Sequence, residues 1–402
     1  MALMPVADAY AAVLKDAAAL GEESVTLDAA HRRTLSRDIA ALRTQPPAAM
    51  SAMDGYAVRA ADATLGARLA VIGEVAAGRP FDKRLVAGQA VRIFTGGVMP
   101  DGADAVVIQE DATRDGDVVI VNEASIAGKN IRAAGIDFKE GDVLLTRGSL
   151  LNDRAIALAA GMNHPRLPVH RRPKVAILAT GDELVAPGAP IAPGQIVYSN
   201  VFALTALIRS EGGEAIDLGV ARDTMESTSA GIRRARELGA DILITTGGAS
   251  VGDHDLVQAA LKAEGTDMAF WKIALRPGKP MMHGRLGAMR VLGLPGNPVS
   301  SYICAFLFLV PLIRALSGRT QIDHRFEHAV LGRELAANDQ RQDYLRARLA
   351  TSADGIPVVT SVGAQDSSLV ANLAAADALI IRPPHAPAAP AGSACTILRL
   401  PS

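Results

Sequence analysis

Apolar positions recur every three or four residues through "VADAYAAVLKDAAAL" and again through "TLDAAHRRTLSRDIAAL", so the first forty or so residues read as amphipathic helix. The period then changes. From "QPPAAMSAMDGYAVRA" to about Asp137, short apolar runs such as "RLAVIGEVA" and "DVVIVNE" are separated by Gly, Pro and Asp turns, the pattern of a small antiparallel β domain. Helical spacing returns at "NDRAIALAAG". The β segment therefore reads as an insertion, with 1–44 plus 138–170 as a discontinuous helical domain and 45–137 as the inserted β domain.

After "HRRPKVAILATGDEL" strand and helix patterns alternate: "KVAILA", "NVFALTALIRSEG", "EAIDLGV", "STSAGIRRARELG", "DILITT", "HDLVQAALKAEG". This predicts a doubly wound α/β domain with a parallel sheet over 171–320. Beyond Ile322 the chain returns to short strands and ends in the Pro/Ala-rich "RPPHAPAAPAGSAC", a C-terminal β domain over 321–402. The fold class is thus α/β multidomain.

Composition sharpens the picture in three places. With 402 residues the chain is long enough for two or three cores, and 49% hydrophobic but only 3% aromatic residues mean that Ala, Val, Leu and Ile build them. The 41 Lys and Arg nearly cancel the 42 Asp and Glu, which removes the positive field that nucleic-acid binding exploits. Cys304 and Cys395 are far apart with no metal-binding spacing, and "HRFEH" lacks the Glu that a zinc helix carries after its first His.

The N-terminus carries Asp8 and Asp16 and no basic leader, so it reads as a helix and a cytoplasmic location is expected. "VSSYICAFLFLVPLI" falls short of about 20 apolar residues and contains Pro311, so a buried helix is expected there, not a membrane span.

In an open parallel sheet ligands bind outside the strand carboxyl ends, so the loops "GDELVAPG", "GGASVGDHD" and "PGNPVSS" are expected to share one edge. The first two bring Asp182, Glu183, Asp253 and Asp255 toward backbone amides, a set that suits Mg²⁺ together with phosphate oxygens. A helix-start role is the plainer reading of Asp253. Asn297 and Pro298 mark a helix N-terminus that attracts anions, to which Ser300 adds a hydroxyl. Lys272, Arg276 and Lys279 in "WKIALRPGKP" supply positive charge with no interleaved acid, fit for an oxyanion as well as for a solvated face.

Taken in order, "SAMDGYAVR", "RIFTGGVMPDGADAVV", "ATGDEL", "TTGGASVGDHD", "RPGKP" and "GLPGNPVSS" resemble the molybdopterin molybdenumtransferases, the MoeA-like family that includes the gephyrin E domain. The resemblance spans essentially the whole chain. It implies a homodimer that inserts molybdate into adenylylated molybdopterin with release of AMP and help from Mg²⁺, with transient contact to the molybdopterin adenylyltransferase upstream. It further implies that Gly247, Gly248, Ser250 and Gly252 cradle the pterin phosphate and that Asp255 serves the metal or the hydrolytic step. Asp54 and Thr95 would reach the partner subunit's site, with Asp137 in another family stretch. Glu183, Lys272 and Arg276 would line the α/β side, and Lys279, Ser300, Ser368 and either Arg341 or Arg346 would meet molybdate. Two alternatives are a scaffold of the gephyrin E-domain type and a pyrophosphate hydrolase of the same α/β fold.

Overall fold

The computed structural model describes residues 3–76, 78–247, 256–270 and 272–401. At its centre lies a six-stranded sheet made of β1 (Lys174–Thr180), β2 (Glu214–Ala221), β3 (Ile242–Thr246), β4 (Asp267–Phe270), β5 (Met282–Leu286) and β6 (Met289–Leu294), in the spatial order β2-β1-β3-β6-β5-β4. The first four in that order pair in parallel, as the alternating pattern predicts, whereas β5 and β4 add an antiparallel edge. The antiparallel edge follows from the short turn at Gly287 between β5 and β6, too few residues for a crossover helix.

Both faces of β1 are buried. Val175, Ile177 and Ala179 face one core, shared with α3 (Asn200–Ser210), while Ala176 and Leu178 face the other, shared with α4 (Met225–Glu237) and α5 (Leu256–Ala263). On α3 the buried positions Val201, Leu204, Leu207 and Ile208 follow the helical period, which is why that pattern was legible.

The first core also holds a continuous apolar helix, Pro298–Leu316, 89% of which is buried inside the protein. It is long and apolar enough to cross a membrane by composition, and its burial marks it as a core helix. The helix runs on through Pro311. A π-helical turn at Ala305–Leu309 lies just before the proline and absorbs the bond it cannot donate.

The N-terminal region departs from the helical reading. Val6–Leu14 is helix α1, and its Ala9 and Val13 pack into the α/β core. Arg290 donates to the carbonyls of Val13 and Lys15 at the helix C-terminus, at 2.8 Å each. "TLDAAHRRTLSRDIAAL", by contrast, forms one short 3-10 turn and extended chain. Its neighbour Glu22–Thr26 pairs antiparallel with Arg166–His170, and Ile39–Ala40 pairs with Val143–Leu145. Partners more than a hundred residues away override the local spacing. Val25, Leu35 and Ile39 share a small core with Phe138, Leu151 and Ala159 of helix α2 (Asp153–Gly161), so the two flanks of the inserted segment meet.

Residues Gly55 to Val121 contribute a six-stranded sheet with its own core, and Phe326 to Arg399 build most of a second. The two-residue strand Leu275–Arg276 leaves the α/β domain and pairs in parallel with Gln342–Thr351, setting Arg276 opposite Asp343.

Candidate functional site

Strands β1, β3 and β6 end at Thr180, Thr246 and Leu294, and the chain beyond each contributes to one cavity of about 380 Å³. It lies where the strand order reverses, since the chain passes from β1 to β2 on one side and then crosses to β3 on the other. Its walls include Thr180, Glu183, Gly247, Gly296 and Asn297, and Ser368 closes it from the C-terminal domain. The strand ends that the sequence places on one edge thus meet there, the loop after β3 being represented by Gly247 alone among the described residues.

Two glycines are needed for this approach. Gly247 has φ +95°, and a Cβ there would sit 2.6 Å from the Thr180 carbonyl oxygen. Gly181, at φ +144°, lets the Glu183 carboxylate fold back over it, where a Cβ would meet Glu183 Oε2 at 2.5 Å. Glu183 has no ion-pair or side-chain hydrogen-bond partner among the described residues, while Asp182 accepts from the Asp223 amide at 3.3 Å. The other two expected metal carboxylates, Asp253 and Asp255, lie outside the described residues, as do Gly248, Ser250 and Gly252. Among the described residues no group of three or more His, Cys, Asp or Glu side chains could hold a metal ion.

Asn297 stands at the start of α6 (Pro298–Cys304) but does not cap it through its side chain as expected. Its Nδ2 instead donates to Ser367 Oγ at 2.7 Å, tying the strand-end loop to the C-terminal domain beside Ser368. Ser368 donates its amide and hydroxyl to Asp366, which hold that carboxyl below the usual range. Ser300 is buried within α6.

The cations divide sharply. Arg276 makes a bidentate pair with Asp343 and also reaches Asp339 and Asn338, so it clamps the C-terminal domain to the α/β domain. This departs from the expected acid-free cluster, because the acids come from 63 and 67 residues further along the chain. Lys279 remains exposed and, like half-buried Lys272, carries no side-chain partner among the described residues. Of the two candidate arginines, Arg341 is paired with Asp339 at 2.9 Å. Arg346 is fully buried; its Nη2 reaches the Asp366 carbonyl at 3.1 Å, while its Nε and Nη1 have no partner.

Asp54 and Thr95 meet in the inserted domain: the Thr95 amide and hydroxyl donate to Asp54 Oδ1 at 2.7 and 2.8 Å and hold its carboxyl low. Neither they nor exposed Asp137, whose amide donates to Gln45, line the cavity. Sequence reasoning missed Tyr198 and Asn200, which do. Tyr198 donates to Asp217 at 2.9 Å, and burial followed by that bond pushes its hydroxyl pKa up. Asn200 Nδ2 donates to the Gly296 carbonyl at 2.8 Å, joining two loops. "VYSN" just ahead of a predicted helix was the available signal.

Three family models match the chain: the MoeA N-terminal region (domain I and II) over 4–162, a probable molybdopterin binding domain over 176–315, and the MoeA C-terminal region (domain IV) over 328–400. A molybdopterin molybdenumtransferase of Haemophilus influenzae is 37% identical over 363 residues, 89% of each chain. One from Bacillus subtilis is 35% identical over 370 residues, 90% of this chain and 86% of the relative. The crystal structure of the molybdopterin biosynthesis MoeA protein from Pyrococcus horikosii matches with a TM-score of 0.83 at 30% identity, covering 100% of both chains.

Proposed function

Since the chain belongs to the MoeA family of molybdopterin molybdenumtransferases and is an enzyme of molybdenum cofactor biosynthesis, we propose that it inserts molybdate into adenylylated molybdopterin and releases AMP at the strand-end cavity. The observation that carries this reading is the meeting of Glu183, Gly247, Asn297 and Ser368 in one cavity at the topological switch point.

The positive end of the α6 dipole, at Asn297 and Pro298 in the cavity wall, favours a phosphate. Arg346 has two unpaired N–H groups next to the Ser368 segment, whereas Arg341 is already neutralised by Asp339. That contrast favours Arg346 over Arg341, and with Lys279 it would approach the oxyanion from outside the residues that line the cavity. Glu183 is a hard oxygen donor of the kind Mg²⁺ takes beside phosphate oxygens, and a bound Mg²⁺ would offset charge on the phosphoanhydride. Asp255 would be its second carboxylate.

Asp54 and Thr95 belong to the same reading only in a homodimer, where the inserted domain of one protomer faces the cavity of the other. Adenylylated molybdopterin would arrive from the molybdopterin adenylyltransferase through transient contact, and the setting is cytoplasmic.

Reconstitution tests the reading. The chain, incubated with adenylylated molybdopterin, molybdate and Mg²⁺, should activate a cofactor-free molybdoenzyme, and failure with correctly folded protein overturns it. Mixing Asp54→Ala with Glu183→Gln subunits should restore activity through one intact site per heterodimer; no recovery despite subunit exchange refutes the composite site.

A further inference from the structure

At the opposite end of the sheet, a second cavity of about 630 Å³ opens where all three parts of the chain meet. Arg32 and Ser149 come from the N-terminal region, Glu211 and Arg319 from the α/β domain, and Arg325 and Arg399 from the C-terminal side. Glu211 precedes β2, so this is the amino-terminal end of the strands, away from the cavity described above.

Five arginines line it against three carboxylates, and each carboxylate is already engaged. Glu211 accepts from Arg314 at 2.9 and 3.0 Å and from Arg319 at 2.8 Å. Glu327 accepts from Arg399, at 2.7 and 2.8 Å, and Asp323 from the Tyr10 hydroxyl. Arg32 and Arg325 are exposed and have no side-chain partner among the described residues. Arg319 is buried, and its Nε is unpartnered.

Arg32 also sits at φ +62°, a conformation that costs a residue with a Cβ about 1–2 kcal/mol and that glycine or asparagine would fill more cheaply. Keeping arginine there places a guanidinium at the rim. The volume falls within the range of small-molecule sites, roughly 300–1,000 Å³. Excess positive charge, unpaired guanidinium forks and an unpaired buried N–H are the chemistry of phosphate recognition.

We propose that this junction binds a compact phosphate-bearing anion, held by Arg32 and Arg325, at a site separate from the strand-end cavity. A ligand there touches all three parts of the chain at once and so stabilises their mutual arrangement.

Calorimetric titration of inorganic pyrophosphate into the full chain tests this, with metal-free ATP in parallel, for wild type, Lys279→Ala and the double variant Arg32→Ala/Arg325→Ala. Two lost charge-assisted contacts predict at least about tenfold weaker pyrophosphate binding in the double variant, with an unchanged unfolding temperature. Lys279→Ala should bind as wild type does. ATP that loses affinity in the same variant assigns a nucleotide; loss for pyrophosphate alone assigns an inorganic anion. Equal affinity in wild type and the double variant, disappearance of binding in Lys279→Ala, or no binding by wild type up to about 10 mM overturns the proposal.

Discussion

Glu183 and Glu211 are both glutamates at the edge of the same sheet, and their surroundings differ in one respect. Glu211 is buried between Arg314 and Arg319, with both carboxylate oxygens engaged, whereas Glu183 folds over Gly181 beside an open cavity with no cation among the described residues that line it. The same division separates Arg276, locked to Asp343 and Asp339, from Lys279 three residues later, exposed and unpaired among the described residues. Charges paired within the protein join its parts; charges left unpaired at the strand carboxyl ends remain for a ligand. The two populations should therefore respond to mutation in opposite ways, one through stability and the other through turnover.

The largest effect is expected at the buried pair. Glu211→Gln leaves two arginines short of their counter-charge, which costs about 3–5 kcal/mol and lowers the unfolding temperature by several degrees, measured by calorimetry. Activity at low temperature should persist. The pH dependence has a definite sign: burial pushes Glu211 up, but Arg314 and Arg319 more than offset this and leave its pKa lowered. Its contribution is then complete above the ordinary glutamate value of about 4.3 and lost as pH falls through the lowered one, so Glu211→Gln should flatten the acid limb of the stability profile.

Glu183→Gln should do the reverse, folding like wild type while turnover falls about a hundredfold or more, because an amide is a poor substitute for a carboxylate at a magnesium site. A destabilised protein with normal turnover would erase the contrast between the two glutamates. Lys279→Ala should raise the molybdate concentration needed for half-maximal turnover about tenfold to a hundredfold, the value of one charge-assisted hydrogen bond, and excess molybdate should rescue it. The smallest expected change is at Thr95→Val: with the hydroxyl donor gone and the amide kept, the Asp54 carboxyl pKa should rise part of the way toward the ordinary range, followed by NMR titration.

How much of this could be read from the chain follows from the range of the interactions involved. The α/β domain was legible because β1, β3 and β6 are buried on both faces and therefore nearly continuous in apolar residues. The shared edge of three loops followed from topology alone. The stretch from Thr26 to Leu42 was misread as helix because its neighbours Arg166–His170 and Val143–Leu145 are invisible to local spacing. Arg276 read as a free cation for the same reason, since Asn338, Asp339 and Asp343 are remote in sequence. Asn297 carried the signature of a helix cap, yet a hydroxyl brought in by another domain won its amide. Interactions within one element were readable, and those between domains were not.

The central claim is that the strand-end cavity is where molybdate meets adenylylated molybdopterin. Its most direct test is single-turnover AMP release from adenylylated molybdopterin by the wild-type chain with Mg²⁺, measured as molybdate is raised from zero. The account predicts that release is slow without molybdate, rises to saturation with it, and stays at the molybdate-free rate in Glu183→Gln at every concentration. AMP release that is equally fast with and without molybdate, or that Glu183→Gln supports as well as wild type, would contradict it.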